Sequence, residues 1–244
     1  YYLAGHDDST GYDYYGRYLR YPYQYRTNHK KAYDRYLGGQ IVLTKRLSNG
    51  WMLNSSFTYS DWRRYYKGEF VGIIDDIFDQ EDMEVGLNNQ EYFDGGVVAP
   101  ESGGSGVSGI FVNSRWQFKL SGLYQFPYDV SLSGVFSARD GYVIPTNVLV
   151  QMPGIGYNEL YGNPEGGGKF GDERLPAFWT LNLRLEKSFR ITETSAVIIA
   201  ADAFNITNSA HSLKKEPRIT ADNFAQDLRI LNPRVIRVGV RFNF

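Results

Sequence analysis

Few side chains in this chain could do covalent chemistry. There is no cysteine, so there is no thiolate nucleophile, no disulfide framework and no thiolate metal site. The histidines, His6, His29 and His211, stand far apart. None forms the spaced pair that a zinc ion or a Ser-His-Asp arrangement would need. Glycines 103–104 and 166–168 are not followed by Lys-Ser/Thr, so no phosphate cradle is expected. These observations point away from an enzyme and from any bound cofactor. One group of hard oxygen donors, Asp75, Asp76, Asp79 and Glu81, is a weak Ca²⁺ candidate and continues into Asp82 and Glu84. Its spacing fits no EF-hand, and a solvated acidic loop is the plainer reading.

Recognition chemistry is better supplied. Eleven of the 20 tyrosines lie between Tyr1 and Tyr36, interleaved with Arg17, Arg20 and Arg26. Tyr and Arg make rigid, amphipathic contact surfaces. Tyr12, Tyr14, Tyr15, Arg17, Tyr18 and Arg20 are therefore candidate contacts for a peptide, a glycan or a partner protein such as a surface lipoprotein. The competing reading packs these tyrosines loop on loop, with Tyr33 and Tyr36 marking a membrane interface.

Composition bounds the scaffold that holds these groups. Net charge is −1, which gives no electrostatic footprint for nucleic acid. The 20 Tyr and 15 Phe against nine Pro favour strands. No apolar run approaches the ~20 residues of a spanning helix, which excludes a helical membrane protein. A β-barrel escapes that test, because only alternate residues of its strands must be apolar. Tyr1 to Asp8 lacks a basic start and an apolar core, so a mature protein or a piece of a longer one is expected.

Seven segments alternate with period two, the mark of strands with two unlike faces. They run over 36–47, 51–62, 115–126, 130–139, 175–189, 195–204 and 234–244. In the last, Ile236, Val238, Val240, Phe242 and Phe244 share a face opposite Arg237, Arg241 and Asn243. In the third, Trp116, Phe118, Leu120, Gly122, Tyr124 and Phe126 share one. The connections alternate long and short. Tight turns fall at 48–50, 127–129 and 191–194, and long segments at 1–35, 63–114, 140–174 and 205–233. Short turns at one rim and long loops at the other are the habit of outer-membrane barrels, with the long loops extracellular and the C-terminus periplasmic. Trp116 to Phe126 and Trp179 to Phe189 each span ten residues, and Trp51 to Tyr59 spans eight. At ~3.3 Å per residue and a tilt near 40°, ten residues rise about 25 Å, the height of an apolar band between two aromatic girdles. Trp51, Tyr59, Trp116, Phe126, Trp179, Phe189 and Phe244 are the expected girdle. The rivals are a passive porin, a surface adhesin or structural barrel, and a secreted carbohydrate-binding β-sandwich with the apolar face buried.

Three stretches resemble the C-terminal barrel region of TonB-dependent outer-membrane receptors, closest to the Oar-like branch. Asp202-Ala203-Phe204-Asn205-Ile206-Thr207-Asn208 is similar to the D-V-F-N-L-T/F-N signature of that family. Arg174-Leu175-Pro176, followed by Leu181-Asn182-Leu183-Arg184-Leu185-Glu186-Lys187, resembles the preceding R-L-P … L-D-L-R-L-S-K strand. Asn232-Pro233-Arg234, leading to Gly239-Val240-Arg241-Phe242 and the closing Phe244, resembles the S-P-R … G-V-R-F-x-F ending. The resemblance implies an antiparallel transmembrane β-barrel of about 22 strands, of which residues 1–244 would be the C-terminal third. It implies energised uptake of a ligand across the outer membrane of a Gram-negative bacterium. The implied partners are membrane lipid, the rest of the barrel with its plug, and the TonB complex. The plug and the TonB-contacting segment lie outside this sequence. Val240, Phe242 and Phe244 would be the barrel-assembly signal.

Overall fold

A computed structural model of the chain describes residues 2–7, 12–16, 32–66, 92–102, 109–152, 156–162 and 168–244. Side chains are described at 33–66, 92–102, 109–149, 161–162 and 168–244. The elements are β1 (Tyr2–Asp7), β2 (Tyr12–Gly16), β3 (Ala32–Ser48), β4 (Trp51–Tyr66), β5 (Trp116–Phe126), β6 (Val130–Arg139) and β7 (Asn147–Met152). They continue with β8 (Gly156–Tyr161), β9 (Phe178–Arg190), β10 (Ala196–Phe204), β11 (Ser212–Lys215), β12 (Asp227–Ile230) and β13 (Val235–Asn243). The fold is all-β.

The seven alternating segments become one antiparallel sheet, in the spatial order β3-β4-β5-β6-β9-β10-β13. Chain neighbours are spatial neighbours throughout, so the sheet is an up-and-down meander. The register carries the sequence pattern across it. One row reads Ile41, Phe57, Phe118, Ala138 and Trp179, each opposite the next. Another reads Trp51, Tyr124, Leu132, Leu185, Ala201 and Val238. All of these lie on one face. The opposite face collects Ser56, Lys119, Ser137 and Thr180 in one row, and Ser133, Arg184, Asp202 and Arg237 in another.

The connections between these strands alternate as expected. Asn49 and Gly50 both have positive φ, 54° and 78°, which is the two-residue turn that matches strand twist. Tyr128 and Asp129 close the β5–β6 hairpin, also at positive φ. Thr192 Oγ1 accepts from the amides of Thr194 and Ser195 to close β9–β10. The β3–β4 hairpin is longer than the alternation predicts, pairing from Ala32↔Tyr66 down to Ser48↔Trp51. Ion pairs hold the extension: Arg64 reaches Asp34, and Arg35 and Arg63 reach Asp61. Charged residues hid it from a search for alternating apolar side chains. Tyr33 and Tyr36 sit three apart, so they lie on opposite faces and cannot both belong to one girdle.

The hydrophobic core lies outside the sheet. Tyr66, at its margin, joins Tyr92, Phe93, Val97, Ala99, Phe111, Val143, Tyr161 and Phe170 in one buried cluster. Apart from Tyr66, these residues come from the long connections. Bridges Arg63↔Val97, Glu101↔Phe111, Phe111↔Val143 and Val143↔Arg174 knit the connections together in the order of the strands below them. The hairpin β7–β8 and the pair β11–β12 are built into two of them. Within the sheet, the apolar face is left exposed, as the polar one is. Ile41, Leu43, Val238 and Val240 are each more than 60% exposed. This inverts the arrangement of a soluble sandwich, where such a face packs on a second sheet.

Candidate functional site

The polar face of the sheet gathers its charge on the last three strands. Asp202, on β10, is only 8% exposed because it is flanked by arginines from both neighbouring strands. Arg184 Nη1 donates to Asp202 Oδ1 at 3.0 Å, and Arg237 Nη2 donates to Asp202 Oδ2 at 2.8 Å. Arg184 also donates twice to Glu186 Oε2, at 3.0 and 2.7 Å. Arg241 approaches Glu186 from β13 at 3.7 Å. Three guanidinium groups thus share two carboxylates. The Asp202 and Arg184–Glu186 pairs are cross-strand or two residues apart on one face, which strand geometry makes neighbours, while Arg241 reaches Glu186 across β10.

Beside this network the polar face carries an apolar recess of about 340 Å³. Met52, Leu123, Val135 and Phe204 supply its greasy lining, and Ser121, Ser133 and Asn182 its polar one. Four apolar side chains brought together on the otherwise charged face were not predicted. Leu123 alone interrupted the alternation of its strand, and Met52 and Phe204 come from strands far away in sequence.

A second ordered zone lies where the long connections meet. Arg174 is its hub, with a side chain only 6% exposed. Its guanidinium donates to the carbonyls of Gly171, Asn113 and Gly141 and to Asn113 Oδ1. It also lies 3.5 Å from Asp140, which accepts from Arg115 as well. Burial pulls the Arg174 pKa below its ordinary value, and burial pushes the Tyr92 hydroxyl well above its own. Gly171 sits at φ 94°, and a Cβ there would strike Val97 Cγ2 at 2.1 Å. Only glycine fits. This zone shows tight packing around a fully engaged Arg174, which is structural chemistry.

The Asp-Ala-Phe-Asn-Ile-Thr-Asn stretch is likewise a fastening. The Asn205 amide donates to Asn182 Oδ1 at 2.8 Å. Asn205 Nδ2 donates to the carbonyls of Ser209 and Asn232 at 3.0 and 2.9 Å. Asn208 Oδ1 accepts from the Arg234 amide. Both asparagines have positive φ, a conformation Asn tolerates well. Together they tie the end of β10 to the start of β13.

The sequence-derived candidates fare differently. Tyr12, Tyr14 and Tyr15 lie on β2, opposite Asp7, Gly5 and Leu3 of β1. Arg17, Tyr18 and Arg20 lie outside the described residues, as do Asp75, Asp76, Asp79 and Glu81. Among the described residues no cluster of metal-ligating side chains is found. The aromatic positions share the apolar face in two rows. Tyr59 pairs with Trp116 toward the long connections, with Trp179 two strands further on. Trp51 pairs with Tyr124 toward the short turns, where Phe126 and Phe189 also lie. Phe242 lies opposite Val197 in the row of Phe189, and Phe244 stacks on Phe242 at 5.9 Å. Val240 is on the same exposed face of the edge strand.

No family model matches the chain, and no curated protein does. Among solved structures, the outer membrane transporter YddB from Escherichia coli is similar at 13% identity with a TM-score of 0.48. The match covers 87% of this chain and 25% of that one, so the chain spans about a quarter of the length of its structural neighbour.

Proposed function

We propose that the seven strands are consecutive staves of a transmembrane β-barrel in a Gram-negative outer membrane, with the long connections outside the cell. We further propose that the parent protein is a receptor and transporter of the TonB-dependent kind. The observation that carries the barrel reading is the exposed apolar face and its boundaries. On β4 it runs Trp51, Leu53, Ser55, Phe57, Tyr59 and then gives way to Asp61 and Arg63. Near the short turns two lysines interrupt it, with Leu47 and Phe189 beyond them: the Lys45 ammonium donates to the Ser48 and Trp51 carbonyls, and Lys187 donates to the Tyr128 carbonyl. Lysines at that depth reach back to the polar rim, as long cationic side chains do at a membrane interface. Eight to ten strand residues between the rims rise about 20–25 Å when tilted, which matches an apolar band.

Closure needs further strands. The first and last staves, β3 and β13, are six antiparallel steps apart and so run in the same direction. Pairing them directly would make a parallel seam. A second copy related by rotation about the barrel axis would meet the same obstacle. An odd number of additional strands restores antiparallel closure, and the family resemblance supplies one. The cargo, the TonB contact and the plug belong to that larger protein.

Single-tryptophan variants in bilayers containing brominated lipid test the barrel. Trp116 and Trp179, on the apolar face, should be quenched, and Trp62, on the polar face, should not. Equal quenching of all three, or of none, would sink the reading. Conductance of the purified parent protein in a planar bilayer separates a plugged receptor, which stays closed, from a passive porin, which stays open. A protein that remains in solution without detergent would favour the sandwich.

A further inference from the structure

The apolar band stops short of the ends of β3 and β4, and the same face carries different chemistry beyond it. Past Tyr59 come the opposed pairs Leu37↔Asp61, Arg35↔Arg63 and Tyr33↔Tyr65. Two guanidinium groups share one carboxylate there. Arg63 Nε donates to Asp61 Oδ1 at 2.8 Å, and Arg35 Nη2 approaches Asp61 Oδ2 at 3.5 Å. Arg63 Nη1 donates to the Gly95 carbonyl at 2.9 Å. Arg35 lies 5.2 Å over the Tyr65 ring, which stacks on Tyr33 at 5.3 Å. Both arginines are thus held in place with donors to spare. Arg63 Nη2, and Arg35 Nε and Nη1, make no hydrogen bond among the described residues. The Asp61 side chain is 16% exposed, against 58% and 31% for Arg35 and Arg63. The cluster keeps one net positive charge, and its cations are the accessible part.

Depth says what such a cluster meets in the proposed barrel. Arg63 lies four residues beyond Tyr59 and Tyr65 lies six. Along a strand tilted near 40° that is about 10 and 15 Å further from the apolar band. The headgroup region of an ordinary phospholipid leaflet is only about 5–8 Å deep, so the cluster overtops it. A taller headgroup, built of sugars and bearing phosphates, spans that height. Planar guanidinium forks match phosphate oxygens in pairs. Tyr33 and Tyr65 add a rigid, amphipathic surface of the kind that suits a ring-bearing headgroup.

We infer that the outward face of the β3–β4 extension binds the phosphorylated sugar headgroup of an outer-leaflet glycolipid, with Arg35 and Arg63 donating to phosphate. The inference rests on the barrel reading, because only a membrane-embedded sheet sets this cluster beside a leaflet. Asp61 is the internal counter-ion with which the phosphate competes.

Native mass spectrometry of the full-length protein released from nanodiscs tests this. The discs are phosphatidylcholine with a minority of one test lipid. The test lipids are a glycolipid phosphorylated on its acylated disaccharide and inner oligosaccharide, the same glycolipid dephosphorylated, and phosphatidylglycerol. Wild type should retain the phosphorylated glycolipid well above the other two. Arg35→Gln with Arg63→Gln should lower that retention about tenfold or more, the loss of at least one charge-assisted hydrogen bond. Asp61→Asn should raise it, a gain that misfolding cannot produce. Equal retention by wild type and the double arginine variant, both with heat-dependent gel mobility, overturns the site while leaving the barrel in place. So does equal retention of all three lipids, or an Asp61→Asn variant that retains no more than wild type. A full-length protein with no heat-dependent mobility that dissolves without detergent overturns the barrel reading itself, and the site with it.

Discussion

Asn205 shows how much one side chain can settle. It is 6% exposed, and its amide nitrogen serves two carbonyls at once. Asn205→Asp changes only that nitrogen to oxygen, yet it sets a carboxylate against Ser209 and Asn232 carbonyls. The expected cost is ~2–4 kcal/mol, more than for Asn205→Ala, because buried acceptors would face each other without a proton between them. Urea-induced loss of the folded gel species measures it, and an Asp variant as stable as wild type would contradict this account. Glu216 makes a pH prediction. Its carboxylate accepts from Arg218 Nε at 2.7 Å, which holds its pKa below the ordinary glutamate value. A depressed carboxylate stabilises above its unfolded pKa, and the stabilisation is lost as pH falls through the folded one. Protection of residues 205–233 from proteolysis should therefore decline below the ordinary glutamate range, and Glu216→Gln should flatten that profile. Of these roles, the Asn205 tie was readable in sequence, since Asn near a strand end commonly bonds backbone. The Arg174 hub was not, because its partners, Asn113, Gly141 and Asp140, share no spacing with it.

At the scale of elements, the proposed barrel has the two faces of each strand meet different solvents, and a paired experiment separates them. Leu183 lies midway between the aromatic rows on the exposed apolar face. Ser131 lies on the polar face, opposite Glu186. In the proposed barrel, Leu183→Arg should cost about 2–4 kcal/mol and lower outer-membrane yield, whereas Ser131→Arg should be close to neutral. Equal tolerance of both would show that the apolar face does not meet lipid. The strands themselves were plain in the sequence because period two survives without knowledge of partners. β5, β6, β10 and β13 appear within a residue or so of where alternation put them. β9 is an exception at its start, Phe178 rather than 175, because Pro176 cannot donate to a ladder. The core of Phe93, Phe111 and Phe170 was invisible for the opposite reason. Those rings meet at 5.1–6.1 Å from two separate long connections with no shared period.

At the scale of the molecule, burial divides the chain into a sheet with almost no interior and a packed body on its long-connection side. A soluble protein would have the two reversed. The edges decide how the sheet lives. β3 and β13 each leave one flank without a backbone partner among the described residues, over 17 and nine residues. In hydrocarbon each bare amide or carbonyl costs several kcal/mol, so an open flank of that length is prohibitive. A bilayer therefore offers these staves no intermediate address. In the proposed barrel they would enter only as the whole ring closes. A cell expressing residues 1–244 alone should route them to its periplasmic proteases and leave its membrane untouched.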